Sequence, residues 1–314
     1  MSLFQSIGSY DNLDEPTPFF AKKAAIYGFV ITFLTISSIS ASLRLFIRFF
    51  VSRCPGWDDY FIILIFLITD LLWTIVVKHG LGTHFALMTI SQMEDFIYMF
   101  WWCNACYNMS MAAIKLSLLF QYLRLLSDHP GSESAQPKLL RIAIYVLIVI
   151  TSIWGIIYSV LAWVPCVPVY ADWDFTASAS RYGYGSDDKD VFAQTFMIHG
   201  ACNMAIDVAI FSLPLFSRSM WATAGRARQS RIAMLSLYIL GIISVVCSIY
   251  RFVSIVQHKA ATSPTFDPTW YGATAIVLSI IEVDIATTMA SLPVFWPYLR
   301  RNIDRIMITH EVEV

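Results

Sequence analysis

Seven apolar blocks run through this sequence, at residues 24–43, 59–77, 96–123, 139–164, 191–216, 232–256 and 271–298, each bounded by charge, proline or glycine. A helix crosses the hydrocarbon core of a bilayer with about 20 apolar residues, so each block is long enough to do so. A soluble chain would have to cover all seven with polar surface. Only 14% of the residues are charged, against about 25% in soluble domains, and that is too few for a particle of this size. The pattern predicts an all-α membrane protein with seven transmembrane helices.

The same blocks divide the chain into a polar segment 1–23, a membrane domain 24–298 and a tail 299–314. The first segment is acidic, with Asp11, Asp14 and Glu15, and lacks the basic and apolar regions of a cleavable signal. The first helix is therefore expected to act as its own insertion signal. One connection, 165–190, is long, and it carries Trp173, Tyr182, Tyr184 and the pair Asp187-Asp188. A soluble catalytic domain has no room.

Lysine and arginine are retained on the cytoplasmic side of a membrane. Thirteen basic residues fall on one side of the seven blocks, from Arg44 and Arg48 to Arg300, Arg301 and Arg305, and six on the other: Lys22, Lys23, Lys78, Arg181, Lys189 and Lys259. This asymmetry predicts a cytoplasmic C-terminus and an N-terminus outside. Aromatic residues Trp57, Trp163, Trp270, Trp296 and Tyr298 stand at the block ends, where amphipathic rings suit the interface. The net charge of -1 argues against nucleic acid as a partner. The bilayer is the expected surrounding, plasma membrane or endomembrane alike.

Several short motifs follow one another in register: LRLFIRFFVSRCPGWDDY (43–60), HGLGTH (79–84), KLSLLFQYLRLL (115–126), CVPVYADWD (166–174), NMAIDVAIFSLPL (203–215), IYRF (249–252) and DPTWYGATAIVLSIIEVDIATTMASLPVFWP (267–297). Together they resemble the fungal rhodopsin-like family of seven-helix integral membrane proteins, over roughly residues 24–300. That family includes pathogenicity-related receptor-like proteins and membrane proteins of secondary-metabolite gene clusters. Some members carry a cysteine-rich CFEM domain before the first helix, whereas residues 1–23 here contain no cysteine. Many also hold a second cysteine in the loop after the fourth helix. It is lost here, so Cys166 either stays free or reaches Cys103 or Cys106. A retinal reading of the resemblance fails on chemistry, because a Schiff base needs a lysine amine, normally in the seventh helix, and 271–298 has none. No cofactor is expected.

Ionisable residues at bilayer depth cost about 2.5–3.5 kcal/mol on insertion scales and usually pair, face a cavity or serve function. Six charged residues stand deep within the blocks: Asp70, Lys115, Asp207, Arg251, Glu282 and Asp284. At about 1.5 Å of rise per residue, Lys115 and Asp207 reach similar depths toward the cytoplasmic side, which predicts a structural ion pair. Asp70, Arg251 and Glu282 fall nearer the outer side and form a second group, read either as an ionic lock or as a ligand pocket roofed by Trp173, Tyr182 and Tyr184. Glu282 and Asp284 point to nearly opposite helix faces.

Weaker patterns carry less. Six scattered histidines do not make the three or four convergent ligands of a zinc site, so no metal is expected. Gly80 and Gly82 read as turn residues, and Pro214 and Pro293 as kinks or stops near helix ends. Trp57-Asp58-Asp59 precedes the second block, with Asp58 beside a positive helix N-terminus. Residues 218–231 hold four arginines and no acid, which suits anionic lipid headgroups, or a G protein or scaffold.

Two functions fit. The first is a receptor-like sensor of a small apolar or surface-derived cue in a filamentous fungus. The alternative is a membrane-embedded enzyme, for example a cyclase, or an accessory protein of a secondary-metabolite cluster. Acid-initiated chemistry would use Glu282, Asp284 or Asp70 as the protonated carboxyl. The chain leaves open whether it is an enzyme.

Overall fold

A computed structural model of the chain describes residues 7–8, 10–65, 80–127, 135–213 and 228–311. The helices are α1 (Lys23–Phe46), α2 (described over 57–65), α3 (Ile90–Ser127), α4 (Ala135–Trp163), α5 (Lys189–Ser212), α6 (Arg228–Gln257) and α7 (Ala273–Glu311). A π-helical turn, Ile47–Val51, prolongs α1. Five of these helices contain a stretch long and apolar enough to cross a membrane: 23–51, 138–163, 189–212, 238–257 and 273–294. Most of the second block, with Asp70, lies outside the described residues.

Helix α3 is not one of the five, because Asn104, Asn108, Lys115 and several Trp and Tyr residues dilute its apolar content. Those polar groups face inward. Asn108 and Lys115 are each 1% exposed, and Ser110 and Ser117 are fully buried. Helix α4 is built the other way round. Val146, Val149, Ile150, Ile153, Ile156, Ile157 and Val160 are all exposed, a broad β-branched face that water would not tolerate and lipid would. Only 22% of the α4 span is buried, against 72% for α7. Helix α7 is therefore central, packed on α1, α3 and α6, while α4 is peripheral.

Close approach between helices relies on small residues, as is common in membranes. Gly155 of α4 sits against Ala112 of α3, where an added Cβ would meet the alanine Cβ at 2.6 Å. Replacing Gly155 with leucine is expected to push α3 and α4 apart and cost about 1–3 kcal/mol. The midpoint of thermal unfolding of detergent-purified protein measures this.

Of the two roles expected for Pro293, a kink or a stop, the stop does not hold, since α7 runs on to Glu311. Proline frees carbonyls in the preceding turn, and Arg44 Nη1 donates to the Ala290 carbonyl there at 2.5 Å. Pro214 lies outside the described residues.

The loop after α4 folds into a two-stranded antiparallel piece, β1 (Cys166–Val167) with β2 (Ser180–Arg181), in register Cys166↔Arg181. Asp188 caps α5 by accepting from the Asp190 N–H at 2.9 Å. At the same end, the buried Asp267 carboxylate accepts from the Phe85 and Trp270 N–H groups, Asn12 Nδ2, Thr269 Oγ1 and His84 Nδ1, at 3.0–3.1 Å. The His84 ring stacks on Trp270 with centroids 3.8 Å apart, and Trp270 is buried just before α7. Gly82 has φ +87°, and a Cβ there would overlap the Ala21 carbonyl. The N-terminal segment, the turn at 80–84 and the connection 258–272 are thus clamped at one carboxylate.

Candidate functional site

Between α3, α5, α6 and α7, below the 165–188 loop, lies a cavity of about 140 Å³. Its wall is mostly aromatic and aliphatic, with Phe100, Phe192, Phe196 and Phe266 prominent. Arg251, His199, Tyr107, Asn104, Ser254 and Ser279 are among its polar residues. Asp172, Arg181, Tyr184 and Gly185 close the loop end. Gly185 packs so tightly that a Cβ would meet the Pro165 carbonyl at 2.7 Å and Asp172 Oδ1 at 2.9 Å. Of the three aromatic residues expected as a roof, Tyr184 lines the cavity. Trp173 instead packs on Tyr98 and Trp101, and Tyr182 is 38% exposed.

Beneath the cavity the ionisable residues join into one network. Arg251 Nε donates to Glu282 Oε2 at 2.9 Å, and the Tyr107 hydroxyl donates to the same oxygen at 3.1 Å. The Arg251 guanidinium carbon lies 5.2 Å from the Tyr107 ring centroid, a cation–π distance. Glu282 Oε1 accepts from Asn203 Nδ2 at 2.9 Å. Asn203 also lies 3.2 Å from Asp207 Oδ2, and Lys115 Nζ pairs with Asp207 Oδ1.

Depth arithmetic puts Lys115 with Asp207 and Arg251 with Glu282 in two separate groups, but the structure connects them. Asn203 stands one helical turn from Asp207 on α5, close enough for its amide to bridge the difference. Of the three residues proposed for the outer group, Arg251 forms cavity wall and Glu282 sits behind it. Asp70 lies outside the described residues. Asp284 faces the other way, accepting from the Ser37 hydroxyl of α1 at 2.6 Å.

A further ionic cluster lies at the opposite end of the bundle. Arg44 is fully buried; its Nη2 reaches Asp58 Oδ2 at 2.6 Å and its Nε reaches Asp59 Oδ1 at 2.9 Å. Arg48 and Arg124 flank the two carboxylates at 3.6–3.7 Å. Asp58 stands in the first turn of α2, where the sequence places it, and is in addition a buried ion-pair partner of α1. The sequence signal was the i, i+4 spacing of Arg44 and Arg48, which puts both on one helix face.

In the roof, burial pushes the Asp172 carboxyl up to about 6 despite Arg181 nearby, with Asp187 adding to the rise. A folded-state pKa above the ordinary carboxylate value means that the folded chain binds the proton more readily. Stability then falls as pH rises from about 4 through 6. Asp172→Asn is expected to flatten that stretch of the stability profile and to gain on the order of 2 kcal/mol at pH 7, read from thermal unfolding between pH 4 and 7. Burial also holds the Cys166 thiol up to about 11. Cys166, Cys103 and Cys106 are all free, and the Cys166 thiol bonds to the Pro168 carbonyl instead.

The chain matches the family described as the fungal rhodopsin domain over residues 43–301. A SAT4 family membrane protein of Emericella nidulans is 23% identical over 246 residues, covering 78% of this chain and 56% of that relative. The chain therefore spans little more than half the length of the relative. No solved structure matches it. The family name suggests retinal, which these residues do not fit. Helix α7 has no lysine, and Lys115 is held by Asp207 and is not part of the cavity wall. With most of its length matched and several membrane-length apolar helices, the chain belongs to the fungal rhodopsin domain family and is a multi-pass membrane protein.

Proposed function

We propose that this protein is a receptor-like sensor with seven spans, its 165–188 loop outside and its C-terminal tail in the cytoplasm, that takes a small, mostly apolar cue into the cavity. The orientation rests on the thirteen basic residues against six. One observation carries the sensing role: the cavity wall residue Arg251 is bonded through Glu282 and Asn203 to Asp207 and Lys115. A molecule that shifts Arg251 thereby acts on α3, α5, α6 and α7 together. A ligand changes conformation only through differential contacts with two states, and a shared polar network at the cavity provides them.

The geometry supports an enzyme less well. Glu282 is engaged by a cation and two neutral donors, which suits a fixed carboxylate rather than an acid that must deliver a proton. Asp284 is not part of the cavity wall.

The test is co-purification of the full chain, in lipid nanodiscs, with a heterotrimeric G protein of a filamentous fungus. A stable complex is expected, and replacing Arg218, Arg226, Arg228 and Arg231 with serine is expected to abolish it. A folded wild-type chain that retains no G protein, together with product formation in a producing host that depends on Asp70, Glu282 and Asp284, would transfer the protein to the biosynthetic reading.

A further inference from the structure

Two nitrogens beside the cavity lack partners. Arg251 Nη2 and His199 Nε2 are both buried, and neither has a hydrogen-bond partner among the described residues. Both side chains line the cavity, and they are 3% and 2% exposed. They flank one residue, since the Tyr107 ring lies 6.1 Å from the His199 ring and 5.2 Å from the Arg251 guanidinium carbon. His199 is held flat against Trp154, with ring centroids 5.1 Å apart and planes at 8°. Buried polar groups without partners are rare in folded proteins, and each calls for a specific explanation. Here both nitrogens belong to the wall of one mostly apolar cavity, on either side of Tyr107, and the Tyr184 hydroxyl, also buried without a partner among the described residues, lines the same space.

Charge decides what kind of group they would take. Arg251 is neutralised by Glu282, Lys115 by Asp207, and Arg181 faces both Asp172 and Asp187. An incoming carboxylate or phosphate would therefore be a buried charge without a counter-ion of its own, which is costly. An ammonium group would meet Arg251. A neutral oxygen avoids both penalties. Arg251 Nη2 can only donate, whereas His199 Nε2 donates or accepts according to tautomer, so a carbonyl or hydroxyl oxygen satisfies them.

Size narrows the class further. An apolar cavity of about 150 Å³ holds one benzene molecule, and this one measures about 140 Å³. Resting on the sensor reading above, we infer that the cavity binds an uncharged single-ring molecule carrying one carbonyl or hydroxyl, with that oxygen on Arg251 and His199 and the ring among Phe100, Phe192, Phe196 and Phe266.

The experiment uses the full chain in nanodiscs and three probes of nearly equal size: acetophenone, benzoate and ethylbenzene. Binding is read by ligand-observed NMR. An Ala275→Leu variant, whose added side chain fills the cavity, supplies the background for partition into lipid. Acetophenone is expected to bind above that background, with ethylbenzene and benzoate each at least about tenfold weaker. His199→Phe keeps the stacked ring on Trp154, and Arg251→Lys keeps a cation beside Glu282. Each is expected to weaken acetophenone about tenfold and leave ethylbenzene unchanged.

Benzoate binding as tightly as acetophenone, and lost in Ala275→Leu, would overturn the neutral class while leaving the cavity as the sensing site. Ethylbenzene equal to acetophenone would overturn the role of the two nitrogens. Failure of all three probes in a folded chain would overturn the ligand class, and the G-protein complex would still judge the sensor reading separately.

Discussion

Replacing Arg44 with alanine is expected to remove most of the folded protein. Arg44 is fully buried, is bonded to both Asp58 and Asp59, and also donates to the Ala290 carbonyl. Removing it leaves two adjacent buried carboxylates with only Arg48 and Arg124, at 3.6–3.7 Å. Breaking a buried pair from one side costs about 3–5 kcal/mol, a large share of a typical stability of about 5–15 kcal/mol. Arg44→Lys keeps the charge but loses the planar fork that engages two acceptors at once, and is expected to cost less. Monodisperse yield after detergent extraction and the thermal midpoint measure both. An alanine variant with the wild-type midpoint would show that Arg48 and Arg124 neutralise the carboxylates unaided.

The second large effect concerns Arg251 and Glu282. Arg251→Ala leaves Glu282 with Tyr107 and Asn203 as donors but no direct cation, and is expected to cost about 3–5 kcal/mol. Replacing both members by apolar residues of similar size, Arg251→Met with Glu282→Leu, often restores stability. The double variant is expected to unfold within about 2 kcal/mol of wild type, because it leaves no unpaired charge. The double variant also distinguishes a lock from a sensor. If it is stable and still binds a G protein in a cue-dependent way, the pair only fixes helix register. If it is stable and silent, the pair serves sensing, by holding the cue or by passing its signal on, and the binding of acetophenone to the same variant separates the two.

Residues in the middle of apolar blocks were legible as exceptions. Lys115, Asp207, Arg251, Glu282 and Asp284 interrupt long hydrophobic runs, so cost alone marks them for inward placement. Arg44, Asp58 and Asp59 flank such runs and look like ordinary loop charges. Their burial follows from Arg44 standing in the last turn of α1 against the start of α2; the i, i+4 spacing of Arg44 and Arg48 marks a shared face but not the carboxylates it meets. Asn203 carries no charge and stands out in no composition scan, yet it joins the two ion pairs. The Asp267 clamp brings together Asn12 and Asp267, 255 positions apart. Only the folded chain makes that pairing visible.

The pairing of Lys115 with Asp207 and of Arg251 with Glu282 also sets the order in which the chain can be completed. Synthesis delivers α3 with its lysine before α5 brings the aspartate, and α6 with its arginine before α7 brings the glutamate. After α3 until α5, and again after α6 until α7, one helix carries an unmatched charge, and an unmatched charge within the bilayer is costly. The nascent bundle therefore stays open, or sheltered by the insertion machinery, until α7 closes it. A ribosome-bound chain ending before residue 273 should accordingly remain extractable and protease-sensitive where the full-length chain is not. The final helix of this fold completes its electrostatics as well as its packing.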